Sequence, residues 1–200
     1  MPGEPIGFPA VKFDSARPYP PDPFDALPAV PSFTVTSKDF ADGEPLPAAQ
    51  TGPSRNVSPQ LSWAGFPDAT KSFLVTAYDP DAPRGGAWHW LVGDIPATVT
   101  ALPAGRRRGA IRVIASAIIP ARRPSTGVPG SVDLRTSVGA TGFVGALPPR
   151  GDHAHRYFFA VHALDIERLD LPARAKPDAV LAQAAPHTIA RAVLVGTHQR

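Results

Sequence analysis

Chain stiffness alone brings two carboxylates and an imidazole near one another in the run Tyr78-Asp79-Pro80-Asp81-Ala82-Pro83-Arg84-Gly85-Gly86-Ala87-Trp88-His89-Trp90. A residue before proline is pushed out of the helical region toward extended geometry, so the backbone direction of Asp79 is fixed at a strand end. Asp-Pro also begins turns, and the pentapeptide taken by itself is equally a well-made β-turn. His89 follows a glycine turn. Strict alternation along a strand predicts that it faces away from both Trp88 and Trp90, where a lone histidine is more often structural than functional. A second cluster, Pro148-Pro149-Arg150-Gly151-Asp152-His153-Ala154-His155-Arg156-Tyr157, opens a later apolar strand. In an extended segment His153, His155 and Tyr157 share one face. Acids and imidazoles carried at strand ends by rigid turns predict a small preformed polar pocket.

Three chemistries suit that residue set. Imidazoles and turn N–H groups can hold a phosphate or carboxylate, with an aspartate orienting an imidazole or sharing a proton with the ligand. Asp and His are also the ligand class of zinc or iron, although no compact spacing such as H-E-x-x-H occurs. Serine-based hydrolysis has little behind it, because there is no G-x-S-x-G elbow and Ser58, Ser62 and Ser72 stand in ordinary strand or turn contexts. Asn56-Val57-Ser58 matches a glycosylation sequon but reads as a turn, with Pro59 following. Glycine-rich nucleotide-binding sequences are absent.

The elements that must position these groups are short strands. The chain has 200 residues and 26 prolines, a load that disfavours long helices because each interior proline removes a hydrogen bond and crowds the preceding turn. Strands are predicted over residues 32–36, 60–63, 71–78, 88–95, 156–164 and 192–197. One helix is predicted over 177–185, with Pro177 in its first turn and Asp178 favourable to its dipole, and a further helical turn over 187–191. His162 falls on the opposite parity to His155 and reads as structural. Sparse helices among many strands predict an all-β sandwich with short peripheral helices.

A proline-rich arm over 1–31 and one domain over 32–200 follow from the composition, with residues 105–135 atypical. Cysteine is absent, which excludes disulfides and thiolate chemistry. The net charge is +3, with arginines gathered at Arg106-Arg107-Arg108, Arg112, Arg122 and Arg123. No aromatic residue stands between Arg106 and Arg123, so a base-stacking platform is missing and nucleic acid is not expected as a partner. The start Met1-Pro2-Gly3-Glu4-Pro5 shows no basic stretch followed by an apolar run, and no segment reaches the roughly 18 to 20 apolar residues of a membrane span. The expected location is the cytoplasm.

Asp79-Pro80-Asp81-Ala82-Pro83 followed by Trp88-His89-Trp90, and then Pro148 to Tyr157 at the matching separation, resemble the two signatures of the phosphatidylethanolamine-binding (Raf kinase inhibitor-like) family in its bacterial and archaeal branch. Ser58 to Trp63, Leu164-Asp165 and Ala192 to Gln199 are similar to its strands as well. The resemblance covers most of 32–104 and 139–200. It implies a Greek-key-like β-sandwich with a small anion-binding cavity at one end, lined by Asp79, Asp81, His89, His155 and Tyr157, with Pro148 on the rim. It implies a phosphate-bearing small molecule or lipid head group as ligand, a kinase or protease as protein target in some members, and homodimers in bacterial ones. No cofactor, no catalytic residue and no metal are expected. A metal-assisted or acid–base hydrolase using the same cluster is the alternative. Two departures stand out. Arg135-Thr136-Ser137 replaces the arginine-asparagine-aspartate sequence usual in bacterial members, and Ala185-Pro186-His187 keeps only the second histidine of His-x-His, with Pro186 expected to break the helix.

Overall fold

The computed structural model describes residues 16–52, 54–83, 85–105, 126–172 and 174–200. The strands are β1 (Thr34–Thr36), β2 (Leu61–Ala64), β3 (Ser72–Asp79), β4 (Ala87–Pro96), β5 (Ala101–Leu102), β6 (Val132–Asp133), β7 (His155–Leu164) and β8 (Thr188–His198), with one helix, α1 (Pro177–Ala184). They form a three-stranded sheet, β1-β2-β5, and a five-stranded sheet, β6-β4-β3-β7-β8. All strand pairs within the sheets are antiparallel. This is the expected all-β sandwich.

The main core lies between the sheets. Val35, Leu61, Trp63 and Leu102 of the small sheet meet Phe73, Val75, Ala77, Trp90, Val92, Tyr157, Phe159 and Val161 of the large one. Strand periodicity explains the selection: odd-numbered residues of β3 and β7 face inward, and each large apolar side chain buried contributes roughly 1.5–3 kcal/mol. The even-numbered side is apolar too, which is why these strands read as continuous apolar runs. Leu74, Leu91 and Leu164 pack there against Val180 and Ala184 of α1 and against Leu169. Phe24, from the segment before β1, covers Phe158 and Ala160 on β7.

Helix α1 starts at Pro177 with Asp178 in its first turn and ends at Ala184; a single 3₁₀ turn, Ala185–His187, carries Pro186. Pro186 breaks the helix as the sequence implied. The helical turn expected over 187–191 is corrected. Thr188 to Arg191 are the first residues of β8, paired through Leu164↔Thr188, Ala163↔Ala190 and His162↔Arg191. A long cross-strand ladder outweighs the intrinsic helical preference of Ala190 and Arg191. The arginine group at 106–108, 112, 122 and 123 and the apolar run 110–119 lie outside the described residues.

Candidate functional site

The end of the sandwich where β3 stops and β7 begins carries the polar groups. β3 and β4 lose register there. Ala77 pairs with Trp90 while Tyr78 pairs with Trp88, so His89 is the extra residue of a β-bulge. Two residues opposing one abolish the alternation locally. Trp90 joins the inter-sheet core and Trp88 packs on the α1 side. His89 lies against Tyr157, ring centroids 5.2 Å apart and nearly perpendicular. The expectation that His89 faces away from both tryptophans is therefore corrected: it shares the inner side with Trp90.

A segment before β7 fixes the His89 ring. The His89 carbonyl accepts the Val144 N–H at 2.8 Å, and His89 Nδ1 donates to the Val144 carbonyl at 2.8 Å. That segment is itself anchored. Gly145 N donates to Asn56 Oδ1 at 2.8 Å, and a side chain at Gly145 would run into the backbone of Gln50 and Thr51. Asn56, at φ 51°, thus spends its side chain on the cavity wall. Asparagine tolerates that left-handed geometry better than most residues.

Asp79 sits at the end of β3, buried, with Oδ1 accepting the Asp81 N–H at 2.9 Å. Its Oδ2 accepts from His155 Nδ1 at 2.8 Å and lies 4.0 Å from His89 Nε2. His155 Nε2 faces Asp152 Oδ2 at 3.1 Å, so this fully buried imidazole stands between two carboxylates. Burial works against its charge, but the hydrogen bonds and charges of Asp79 and Asp152 outweigh burial and raise its pKa above the usual imidazole value. Both ring nitrogens of His155 thus face carboxylates, an arrangement that favours the charged ring. Burial lowers the His89 pKa, opposed in part by the Val144 carbonyl and the Asp79 charge, so His89 is neutral at neutral pH with the lone pair on Nε2. The hydroxyl of Tyr157 is buried without a hydrogen-bond partner among the described residues.

These groups border a cavity of about 400 Å³ whose lining includes Asp79, Trp88, His89, Ser137, Pro148 and His155. Ser137 stands in the loop that departs from the family pattern, where its Oγ accepts the Trp88 N–H at 2.8 Å and so closes the wall against β4. Val138 and Leu147, both more than half exposed, add an apolar rim. Across the loop, Tyr78 Oη donates to the Gly85 carbonyl at 2.9 Å. Gly86, at φ 94°, lies against Tyr78 so closely that a side chain there would strike the phenol.

The sequence-expected residues divide into two groups. Asp79, His89, Pro148 and His155 line the cavity and Tyr157 backs it. Asp81 does not line it. Its oxygens take three donors of Arg156: the main-chain N–H at 2.8 Å, Nε at 2.9 Å and Nη2 at 2.9 Å. Asp81 therefore ties the first signature to the second. His162 lies on the other face of the sheet beside Thr76, Arg191 and Phe24. Two further participants carry no local signal in the sequence. Asp152 stands in the second signature with its carboxylate aimed at His155, a pairing its i, i+3 spacing in a turn does not announce. Arg17 reaches the same carboxylate from 135 residues away, which no local pattern encodes.

Two β-layers with a polar cavity at one end, built from a proline-braced Asp loop, a bulged Trp-His-Trp strand and a His-Arg-Tyr strand start, define a recognised class. The profile of the family described as phosphatidylethanolamine-binding protein matches residues 36–199, and the chain belongs to that family. The chain is similar to the UPF0098 proteins YbhB and YbcL of Escherichia coli strain K12. Identity to YbhB is 43% over 68% of this chain and 81% of the relative; to YbcL it is 44% over 69% and 72%. The crystal structure of E. coli YbcL, described as a new member of the mammalian PEBP family, superposes with a TM-score of 0.73 at 37% identity, covering 84% of this chain and 99% of that one. A putative phosphatidylethanolamine-binding protein homologue of Chlamydia trachomatis superposes with a TM-score of 0.67 at 27% identity, covering 84% and 98%. No helix among the described residues is long and apolar enough to cross a membrane.

Proposed function

We propose that the protein is a non-catalytic binder of a small phosphate-bearing group, held in the cavity between Asp79, His89 and His155. The observation that carries this reading is the bulge. It turns a neutral imidazole inward with Nε2 free of any hydrogen bond among the described residues, 4.0 Å from a carboxylate oxygen already bonded elsewhere.

The charges around the cavity make the binding mode specific. Asp79 and Asp152 are paired with His155 and Arg17, and Asp81 with Arg156, so among the described residues the ion pairs around the pocket are already made. A phosphate monoanion, however, carries a proton. Its O–H can donate to His89 Nε2, after which the proton is shared and the imidazole becomes the anion's counter-charge. Pro148 lines the cavity, and the Tyr157 hydroxyl behind it is a donor with no hydrogen-bond partner within normal distance among the described residues. The apolar rim of Val138 and Leu147 favours a lipid head group over free phosphate, because an acyl stem can lie on it while the phosphate enters. Among the described residues the one lining hydroxyl, Ser137 Oγ, is engaged with the Trp88 N–H and makes no hydrogen bond to His89, so the set suits holding rather than cleaving.

Calorimetry with inorganic phosphate, phosphoethanolamine and a short-chain lysophosphatidylethanolamine tests this. Binding is expected for all three, tightest for the lipid, and at least tenfold weaker in His89→Ala, a loss of about 1.4 kcal/mol. Equal affinity of wild type and His89→Ala for every ligand would show that the cavity is not the site.

A further inference from the structure

Behind His155, on the side away from the cavity, Arg17 enters from the N-terminal segment. Its Nε donates to Asp152 Oδ1 at 3.2 Å, and its Nη2 to Asp152 Oδ2 at 3.1 Å and to the Asp81 carbonyl. His155 Nε2 lies 3.5 Å from the same Nη2. The groups that accept this guanidinium's N–H donors are a buried carboxylate and a carbonyl, with the His155 ring beside them. That is the surrounding of a cation, and the chain supplies one itself.

His153 stands beside this point. It is buried, at 6% exposure, and neither ring nitrogen has a hydrogen-bond partner among the described residues. Tyr19 stacks on its face at 4.3 Å and shields it from water. Two orphaned nitrogens in a dry imidazole are costly, and buried polar groups of that kind call for an explanation. Asp152, His153 and His155 each offer one ligand atom, and these atoms all lie within 4.8 Å of one another. His155 also has its other nitrogen bonded to Asp79 at 2.8 Å, the carboxylate–histidine arrangement that turns Nε2 toward a metal.

We propose that Asp152, His153 and His155 form a site for a divalent transition-metal ion of the zinc class, and that the Arg17 side chain holds this place when the metal is not bound. Two imidazoles and one carboxylate suit zinc, whereas calcium and magnesium require oxygen ligands. Arg17 leaves with one positive charge, any proton on His155 Nε2 passes to solvent as the metal takes that nitrogen, and the dication stands in their place. The site shares His155 with the cavity but uses its far nitrogen, and it involves neither His89 nor Tyr157.

The test uses the full chain and zinc alone. Competition with a chromophoric chelator is expected to show one equivalent bound. Affinity should rise about tenfold in Arg17→Ala, because the internal competitor's charged hydrogen bonds are gone, and binding should be lost in Asp152→Asn and His153→Gln. Those two positions are buried, so two-bond proton–nitrogen NMR of the wild type supplies a measurement that does not depend on the variants folding. Zinc should shift the ring nitrogens of His153 and His155 and leave those of His162 unchanged. No zinc uptake, ring nitrogens of His153 and His155 that do not move, or equal affinity in Arg17→Ala would overturn the proposal.

Discussion

Arg156 grips Asp81 through its main-chain N–H and the two nitrogens of one guanidinium edge, and so clamps the first signature loop onto the first residues of β7. Asp81 is fully buried and Arg156 only partly. Removing the arginine strands a carboxylate in the protein interior. Arg156→Ala is expected to lower stability by about 3 kcal/mol in urea unfolding. Arg156→Lys should recover less than half of that loss, because an ammonium cannot reproduce the fork. A loss below 1 kcal/mol would show that the clamp contributes little.

Anion binding should strengthen with acid. The His89 pKa is depressed by burial in the free protein, so the imidazole is neutral at pH 7, and a bound anion favours its protonated form. The complex therefore takes up a proton, and affinity rises as pH falls through the pKa of the bound state toward that of the free state. Sulfate, which does not titrate near neutrality, isolates the contribution of the protein. Its affinity measured from pH 8 to pH 5.5 should climb, and the slope should vanish in His89→Gln.

Tyr157→Phe separates the unpaired hydroxyl from the ring. Burial pushes the phenol pKa up, with the Asp79 charge adding to it, so the hydroxyl stays protonated. Since it has no partner among the described residues, the variant should be as stable as wild type or up to ~1 kcal/mol more so. If the hydroxyl donates to the bound anion, affinity drops severalfold with stability unchanged. Thermal denaturation with and without phosphoethanolamine reads both effects.

His162 governs acid sensitivity on the opposite face of the sheet. Complete burial, with a smaller push from Arg191, holds its pKa down to about 3. The folded state thus prefers the neutral ring, and the stability this gives is complete above the unfolded value of 6.5 and drains away as pH falls from there toward 3. Wild type should lose a few kcal/mol between pH 7 and pH 4. His162→Gln, which cannot charge, should lose visibly less over the same interval in guanidinium titrations.

The sequence carried the architecture because its signals were local: alternating β-branched and aromatic residues, prolines that stop strands, and Pro177 opening the single helix. The two signatures likewise pointed to the right end of the sandwich. What could not be read was set by distance or by register. Trp88-His89-Trp90 contains nothing that announces an extra residue, and only pairing with Ala77 and Tyr78 shows it. Thr188 to Arg191 suit a helix in isolation and a strand only once β7 lies beside them. Asp81 resembles Asp79 in sequence, yet Arg156 removes it from the cavity. Arg17 meets Asp152 across most of the chain.

Strand β8 pairs with β7 along its whole length, and Ser32 and Pro45 bridge to Arg191 and Thr197 within it. Residues made early in synthesis thus wait for residues made late before either is secured. Until β8 pairs, β7 has β3 on one side and a bare edge on the other. A bare edge of that kind invites pairing with other chains, so β8 also shields β7 from association.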